Sequence, residues 1–191
     1  INSKSALIGE DAYVNALSRN PAKSAVHITA ITSNEEITKK LEPGAPSYKE
    51  RLAGIRNMVL AGIRVVARIE PFLFLVNDQE DEVRQYMEDM WDAGVRNITF
   101  DTYSYTALNP GIRQSFINAG FDFDRIFMAG ADSQPLGSLL LGSFMELFRE
   151  RGFSCSTFDM GNAPSNDQAI CCEVGDWWPD VGWNYGSTVM A

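Results

Sequence analysis

The chain has 191 residues, of which 45% are hydrophobic, and a formal net charge of −9. This length can bury one sizeable core and is most simply one domain, although a complete eight-stranded α/β barrel typically takes about 250 residues. The negative charge disfavours broad electrostatic binding to nucleic acid, and no apolar run approaches the roughly 20 residues needed to span a membrane.

The predicted elements alternate between strands and helices over residues 1–160, which we interpret as one (β/α) half-barrel core. In chain order they are a strand end and turn over 2–8, a helix over 11–17, a strand over 25–32, a helix over 35–41, a helix over 48–61, a strand over 63–69, a helix over 78–93, a strand over 95–102, a helix over 110–119, a strand or extended turn over 121–128, a helix over 136–151 and a strand over 153–159. Residues 161–191 are rich in Gly, Asn and Trp without helical periodicity, so we interpret them as an irregular tail of the same domain.

A glycine recurs wherever a helix-like segment passes into a strand-like one. These glycines are Gly62, Gly94, Gly120 and Gly152, at spacings of 32, 26 and 32 residues. Glycine accepts the left-handed conformation that ends a helix, and the spacing is that of one strand plus one helix. The pattern predicts an α/β fold, a partial (β/α) barrel with parallel strands and flanking helices.

Side-chain spacing also predicts helix starts and buried helix faces. Ser47 and Glu50 have the spacing of a capping box at the start of the helix over 48–61. For the helix over 136–151, the apolar spacing predicts an inner face made of Leu139, Leu140, Phe144, Leu147 and Phe148.

Three of the predicted strands stop at an acidic residue: Glu70, Asp101 and Asp159. Ligands of parallel α/β folds bind at the carboxyl ends of the strands, so these acids are candidate catalytic residues at one mouth. Arg68 lies two residues before Glu70 and therefore on the same strand face. The same pattern also suits acids that cap the following helix or bind backbone N–H groups, and the spacing alone leaves both interpretations open.

The thiols and the single histidine favour structural roles. Cys155, Cys171 and Cys172 are odd in number with an adjacent pair, which is unlike a secreted disulfide framework and predicts a cytoplasmic protein. No CxxC or nearby histidine supports metal ligation, so no metal site is predicted. His27 lies within a predicted strand, on the same face as Thr29, where a hydrogen-bonded core residue is more typical than a catalyst. The sequence also lacks GxxxxGK[ST], GxGxxG, HExxH and GxSxG, which argues against the enzyme classes that use them.

The first half of the chain resembles a known family. Residues 2–5 (NSKS) resemble the "TKS" strand end of radical S-adenosylmethionine (radical SAM) enzymes. Residues 28–46 (ITAITSNEEITKKLEPGAP) resemble the "SITTxDEExxxxLEPxAPS" segment of the spore photoproduct lyase-like branch, often named DNA repair photolyases. Residues 47–78 resemble the "S…R…I…L…AGI…V…P…PGxND" segment of the same branch. The resemblance covers about residues 2–104 and is loose beyond them.

The resemblance implies a partial or full (β/α) barrel with S-adenosylmethionine as cofactor, whose 5′-deoxyadenosyl radical abstracts hydrogen from the substrate. It places Lys4 and Thr29 against the methionine part of the cofactor, with Arg68 and Glu70 facing the cofactor pocket. The family holds a four-iron cluster through CxxxCxxC, which this sequence lacks, and its PGxND pattern is altered over residues 74–78. A cluster is therefore expected only if an N-terminal segment absent here supplies its thiolates.

The resemblance implies that this chain is a fragment or half-barrel of a radical SAM enzyme similar to spore photoproduct lyase, a DNA repair lyase. Such a fragment is not expected to bind the cluster by itself. Two alternatives stay open: a non-catalytic binding or structural protein on the same scaffold, and a small barrel-type hydrolase using the strand-end acids. By resemblance DNA is a candidate substrate, although the acidic charge argues against broad binding. We expect no membrane association. The open edges of a half-barrel need a cover, for which the tail over 162–191 is the internal candidate and a homodimer or a partner chain that completes the barrel is the alternative.

Overall fold

The computed structural model describes residues 1–21, 24–102, 110–130 and 135–157, with side chains omitted for 127–130 and 135–138. Its elements are β1 (Asn2–Ser3), a 3-10 helix (Ala6–Gly9), α1 (Asp11–Leu17), β2 (Ala25–Thr29), α2 (Glu35–Leu41), α3 (Tyr48–Leu60), β3 (Arg64–Phe72), α4 (Glu80–Asp92), β4 (Asn97–Thr102), α5 (Pro110–Asn118), α6 (Phe123–Gly130), α7 (Pro135–Arg151) and β5 (Ser154–Thr157). No helix among these residues is both long enough and apolar enough to cross a bilayer.

The five strands form one parallel sheet in the order β1-β2-β3-β4-β5. Parallel neighbours cannot be joined by a tight hairpin, so every connection between consecutive strands contains at least one helix. The α/β fold with parallel strands and flanking helices, a partial (β/α) barrel, is therefore confirmed.

The glycine joints adopt the backbone that the sequence predicts. Gly62, Gly94, Gly120 and Gly152 have φ values of 76°, 86°, 85° and 109°. These angles favour glycine, because a Cβ atom clashes in the left-handed region. At Gly94 an added Cβ would also lie 2.7 Å from Cγ1 of Val59, so the joint between α4 and β4 sits tightly against α3.

The helices between β2 and β3 are fixed by side-chain caps. The predicted capping box is confirmed: Oγ of Ser47 accepts from the Glu50 N–H at 3.2 Å, and Oε2 of Glu50 accepts from the Ser47 N–H at 2.7 Å. The Glu35 carboxylate at the start of α2 also accepts from the Tyr48 N–H at 3.1 Å. These contacts tie the first turn of α3 to α2.

One side of the sheet is apolar and packs on the helices. This helix-facing side presents Ile28, Ala67, Ile98 and Cys155, which lie opposite one another in register and are each at most 1% exposed. The helix residues in the same buried cluster include Ile55, Met58, Met90, Met145 and Phe148. Burial of each such side chain contributes about 1.5–3 kcal/mol, so this side supplies most of the stability of the fold.

The extended structure predicted over 121–128 is wrong, because α6 occupies Phe123–Gly130. Asp122 starts this helix: its carboxylate accepts from the Arg125 N–H at 3.1 Å, and its carbonyl accepts from the Ile126 N–H at 3.0 Å. Phe123 and Ile126, which are both buried, are three positions apart, and this is a helical spacing.

The prediction that Leu139 faces the core is also wrong, because this side chain is 69% exposed. The buried stripe of α7 consists of Leu141, Met145 and Phe148, with Leu140, Phe144 and Leu147 partly buried beside it. Leu139 precedes Leu141 by two residues, which is about 200° around the helix.

Other boundaries differ in smaller ways. β3 continues to Phe72, beyond the predicted strand over 63–69, and β2 ends at Thr29, before the predicted end at residue 32. The strand predicted over 153–159 is described as β5 only to Thr157. Asp159 and the tail over 161–191 lie outside the described residues.

Candidate functional site

The side of the sheet opposite the helix-facing side carries a line of polar residues. Thr29 lies in register with Arg68, Arg68 with Thr99, and Thr99 with Ser156. Each follows a helix-facing residue by one position, so the alternation of strand side chains puts all four on the other side. We call these four residues the polar row.

Two acids continue this side toward the carboxyl ends of the strands. Glu70 follows Arg68 by two residues in β3, and Asp101 follows Thr99 by two residues in β4. Because β3 and β4 are parallel neighbours, both acids lie at the same end of the sheet. The structure therefore brings these two candidate catalytic residues to one end.

Glu70 is held by both of its polar-row neighbours. Its Oε2 pairs with Nη2 of Arg68, and its Oε1 accepts a hydrogen bond from Oγ1 of Thr99 at 2.8 Å. The side chains of Arg68 and Glu70 are 25% and 16% exposed, whereas Thr99 is 1% exposed. The buried Thr99 hydroxyl thus fixes the position of the Arg68–Glu70 ion pair, which remains accessible to a polar ligand.

Asn77 holds the segment after β3 against the end of β2. Its Nδ2 donates to the carbonyls of Ile31 at 2.7 Å and Pro71 at 3.2 Å, and its Oδ1 accepts from the Leu73 N–H at 2.7 Å. The Glu70–Pro71 peptide bond, in the same segment, is cis. Because Asn77 is buried, its amide fixes the backbone that follows Glu70.

A second charged group stands at the β1 end of the sheet. The Lys4 ammonium pairs with Oε1 of Glu42 at 2.5 Å, and Oε2 of Glu42 pairs with Nη2 of Arg51 at 2.6 Å. Arg51 is 1% exposed and donates to the carbonyls of Thr29 at 2.8 Å and Pro46 at 3.0 Å. Buried Arg51 therefore joins the end of β2 to the turn before α3, while the Lys4 side chain remains 52% exposed.

Searches of protein-family models and of curated proteins find no match to this sequence. Solved structures of spore photoproduct lyase do match. The complex with dinucleoside spore photoproduct has a TM-score of 0.57 at 16% identity, covering 82% of this chain and 49% of that chain. A double mutant with bound AdoMet and dinucleoside spore photoproduct has a TM-score of 0.55 at 19% identity, and a single mutant has 0.56 at 17% identity, both with the same coverage.

The chain shares its fold with the matched part of spore photoproduct lyase. This agrees with the partial (β/α) barrel that the resemblance implied, and at these identities the likeness concerns the fold alone. The chain spans about half the length of the spore photoproduct lyase structures, 49% in each case.

On this fold, the residues expected to bind the cofactor lie at one end of the sheet. Thr29 and Arg68 belong to the polar row, Glu70 extends it, and Lys4 directly follows β1. His27 is buried and shares the polar-row side with Thr29, as its strand position predicts. The roles of these residues, and that of Asp159 outside the described part, stay predictions.

Thr99 and Thr157, each of which begins a TFD triplet in the sequence, do not occupy equivalent places in the sheet. Thr99 lies opposite Ser156, and Thr157 lies opposite Phe100. Thr157 therefore belongs to the helix-facing side of β5, while Ser156 takes the place that matches Thr99.

Sequence reasoning missed four residues of this region: Glu42, Arg51, Thr99 and Ser156. The LEPGAP segment containing Glu42 enters the sequence analysis only as part of the family resemblance, which assigns no role to Glu42. For Thr99 and Ser156 the sequence did contain a signal. Thr99 stands two residues before the strand-end acid Asp101 and therefore shares its side of the strand, and Ser156 directly precedes Thr157 near the end of the next strand.

The described residues do not contain the thiols of an iron–sulfur site. Cys155 is buried on the helix-facing side, where its Sγ contacts the Met145 carbonyl at 3.6 Å. Cys171 and Cys172 lie outside the described ranges. Among residues 1–21, 24–102, 110–130 and 135–157, no three His, Cys, Asp or Glu side chains are placed to hold a metal ion.

Proposed function

We propose that this chain provides the S-adenosylmethionine-binding part of a radical SAM enzyme similar to spore photoproduct lyase. The cofactor binds at the carboxyl ends of the strands, against Lys4, Thr29, Arg68 and Glu70. The observation that carries the proposal is the Arg68–Glu70 pair, which is partly exposed at the end of the sheet where parallel α/β folds bind ligands.

The charges at this end match the methionine part of the cofactor, which bears an ammonium, a carboxylate and a sulfonium. The Lys4 ammonium and the Arg68 guanidinium can donate to a carboxylate, and Glu70 can accept from an ammonium. Each cation already lies beside an acid, Lys4 beside Glu42 and Arg68 beside Glu70. A zwitterion therefore meets both signs of charge and leaves no buried charge without a partner.

Beside a reduced four-iron cluster, S-adenosylmethionine held by these residues would supply hydrogen-abstracting radical chemistry. The side chains of this chain bind and orient the reactants. Thr99 and Arg68 fix the direction of the Glu70 carboxylate, and Asp101 and Asp159 are the further acids proposed to contact the substrate at the strand ends. The cluster does not fit the described residues, because Cys155 points into the core, and the sequence has no CxxxCxxC. The cluster thiolates would therefore have to come from an N-terminal segment absent here.

The finer part of the proposal concerns the substrate, a lesion in DNA processed by lyase chemistry. It is supported by the likeness to spore photoproduct lyase, which was solved with dinucleoside spore photoproduct. A net charge of −9 favours recognition of the lesion at the site over broad contact with phosphates. A second copy or a partner chain that completes the half-barrel belongs to the same proposal.

The hydrolase alternative has less support. A hydrolytic acid or base needs a carboxylate oxygen that can reach a water or substrate proton. Glu70 accepts a hydrogen bond from Thr99 and pairs with Arg68, an arrangement that suits a fixed anion for a bound cation better than a group that exchanges protons.

Calorimetric titration with S-adenosylmethionine tests the proposal. We expect the chain to bind the cofactor, and Arg68→Met and Glu70→Gln each to weaken binding at least about tenfold, the loss of one charge-assisted hydrogen bond. Glu80→Gln is the matched control, because Glu80 forms an exposed ion pair with Arg84 on α4. Absence of binding, or equal loss in the control, would contradict the proposal.

A further inference from the structure

Ser156, the β5 member of the polar row, carries a buried hydroxyl that has no hydrogen-bonding partner among the described residues. Buried polar groups in folded proteins nearly always find a partner, and an unpaired one lowers stability. Thr99, its neighbour in the row, is equally buried but donates to Glu70 at 2.8 Å. Of two adjacent buried hydroxyls, one thus has a partner within the described part of the chain and the other has none there.

The charges nearby restrict what could satisfy this hydroxyl. Arg68 and Glu70 neutralise each other, and the proton of Thr99 is already donated to Glu70. An anionic ligand group next to Ser156 would be buried on the side that also carries Asp101, and the Arg68 cation is already matched by Glu70, so its burial is unfavourable. A neutral group suits the site, because a serine hydroxyl can donate one hydrogen bond and accept others.

We infer that Ser156, with Thr99 beside it, forms the floor of a binding site for a neutral polar group of the substrate. The shared chemistry is that of a hydroxyl, an amide or the N–H and C=O edge of a heterocycle. The inference rests on the proposed function only in taking the polar-row side as the ligand-binding side. It goes beyond that function because the cofactor contacts are assigned to the β1, β2 and β3 ends of the sheet.

The inference predicts opposite effects of Ser156→Ala on stability and on binding. Without ligand, the variant loses an unsatisfied buried hydroxyl, so the unfolding midpoint stays unchanged or rises by up to about 2–4 °C. Thr99→Val, in contrast, deprives Glu70 of a donor and lowers the midpoint. Ser143→Ala, at an exposed position of α7, is the matched control with no expected change.

Binding is measured by titrating thymidine, adenosine, acetamide, glucose and inorganic phosphate into the intact chain and the three variants. Thymidine and adenosine test a heterocycle edge, acetamide a simple amide, glucose a hydroxyl source, and phosphate a charged group. We expect at least one neutral probe to bind the wild-type chain and to bind Ser156→Ala at least about tenfold more weakly, with Ser143→Ala unaffected.

Three results would overturn the inference. The first is an unfolding midpoint of Ser156→Ala that falls as far as that of Thr99→Val. The second is that the neutral probes bind Ser156→Ala as tightly as they bind the wild type, or bind neither, and the third is that only phosphate binding depends on Ser156. The first result is the one expected if an internal water satisfies the hydroxyl. S-adenosylmethionine binding without Ser156-dependent binding of a neutral probe would leave the proposed function standing and remove this inference. The reverse pattern would retain the inference and remove the proposed function.

Discussion

The two sides of the parallel sheet use the same four strands for different purposes. Ile28, Ala67, Ile98 and Cys155 face the helices, and the next residue of each strand forms the polar row. Members of both sets are buried, with Ile98 at 0% and Thr99 at 1% exposure. Burial alone therefore does not separate the residues that stabilise the fold from those proposed to bind a ligand.

Energetics do separate the two sides. An aliphatic side chain on the helix-facing side gains about 1.5–3 kcal/mol by burial, whereas a buried ion pair is roughly neutral against an apolar replacement. An unpaired hydroxyl such as that of Ser156 is unfavourable. Apolar residues at the positions of the polar row would make the protein more stable. Polar residues at such positions are expected where this side of the sheet binds a ligand.

The largest expected effect is on the helix-facing side. Phe148→Ala removes a ring that is 0% exposed and lies 5.2 Å from the Phe100 ring and 5.5 Å from that of Phe153. We expect a loss of about 3–5 kcal/mol in the free energy of unfolding, measured by urea denaturation. A loss below about 1 kcal/mol would show that this side is not the main source of stability.

Arg51→Met tests the buried charge that joins β2 to the turn before α3. The variant leaves Glu42 without its buried partner, so we expect a loss of about 3 kcal/mol in denaturation experiments. Removing both charges in Arg51→Met with Glu42→Gln should recover part of this loss. No recovery would mean that Arg51 acts through its bonds to the Thr29 and Pro46 carbonyls rather than through the ion pair.

Thr99→Val should have a smaller effect, because it exchanges one buried hydroxyl for a methyl of similar size. Glu70 then loses its donor at 2.8 Å, and we expect a loss of about 1–2 kcal/mol by the same measurement. Thr99→Ser, which keeps the hydroxyl, should restore most of the hydrogen-bond energy. Equal losses in both variants would place the role of Thr99 in packing.

The smallest effect is expected at Leu139, which the structure places on the outside of α7 at 69% exposure. Leu139→Lys should change the unfolding free energy by less than about 0.5 kcal/mol. The control is Leu141→Ala, at a buried position of the same helix, for which a loss of about 2–5 kcal/mol is expected. A large loss of unfolding free energy in Leu139→Lys would instead support the sequence-based prediction that Leu139 lies on the inner face of α7.

Local patterns predicted most of the fold. The glycine joints and the strand-end acids are short-range signals, and they indicated the parallel sheet and the end of it at which Glu70 and Asp101 lie. The offset between Thr99 and Thr157 could not be predicted, because strand register depends on tertiary packing rather than on the triplets themselves. The Lys4–Glu42 pair joins residues 38 positions apart, and neither side chain identifies its partner in the sequence.

Methyl NMR during an S-adenosylmethionine titration tests the division between the two sides most directly. Thr29 and Thr99 carry methyl groups on the polar-row side, and Ile28 and Ile98, one residue earlier in the same strands, carry them on the helix-facing side. We expect the two threonine methyl signals to shift saturably with the cofactor while the two isoleucine signals stay in place. Larger shifts at the isoleucines, or no shift at any of the four, would contradict the assignment of the polar row as the binding face.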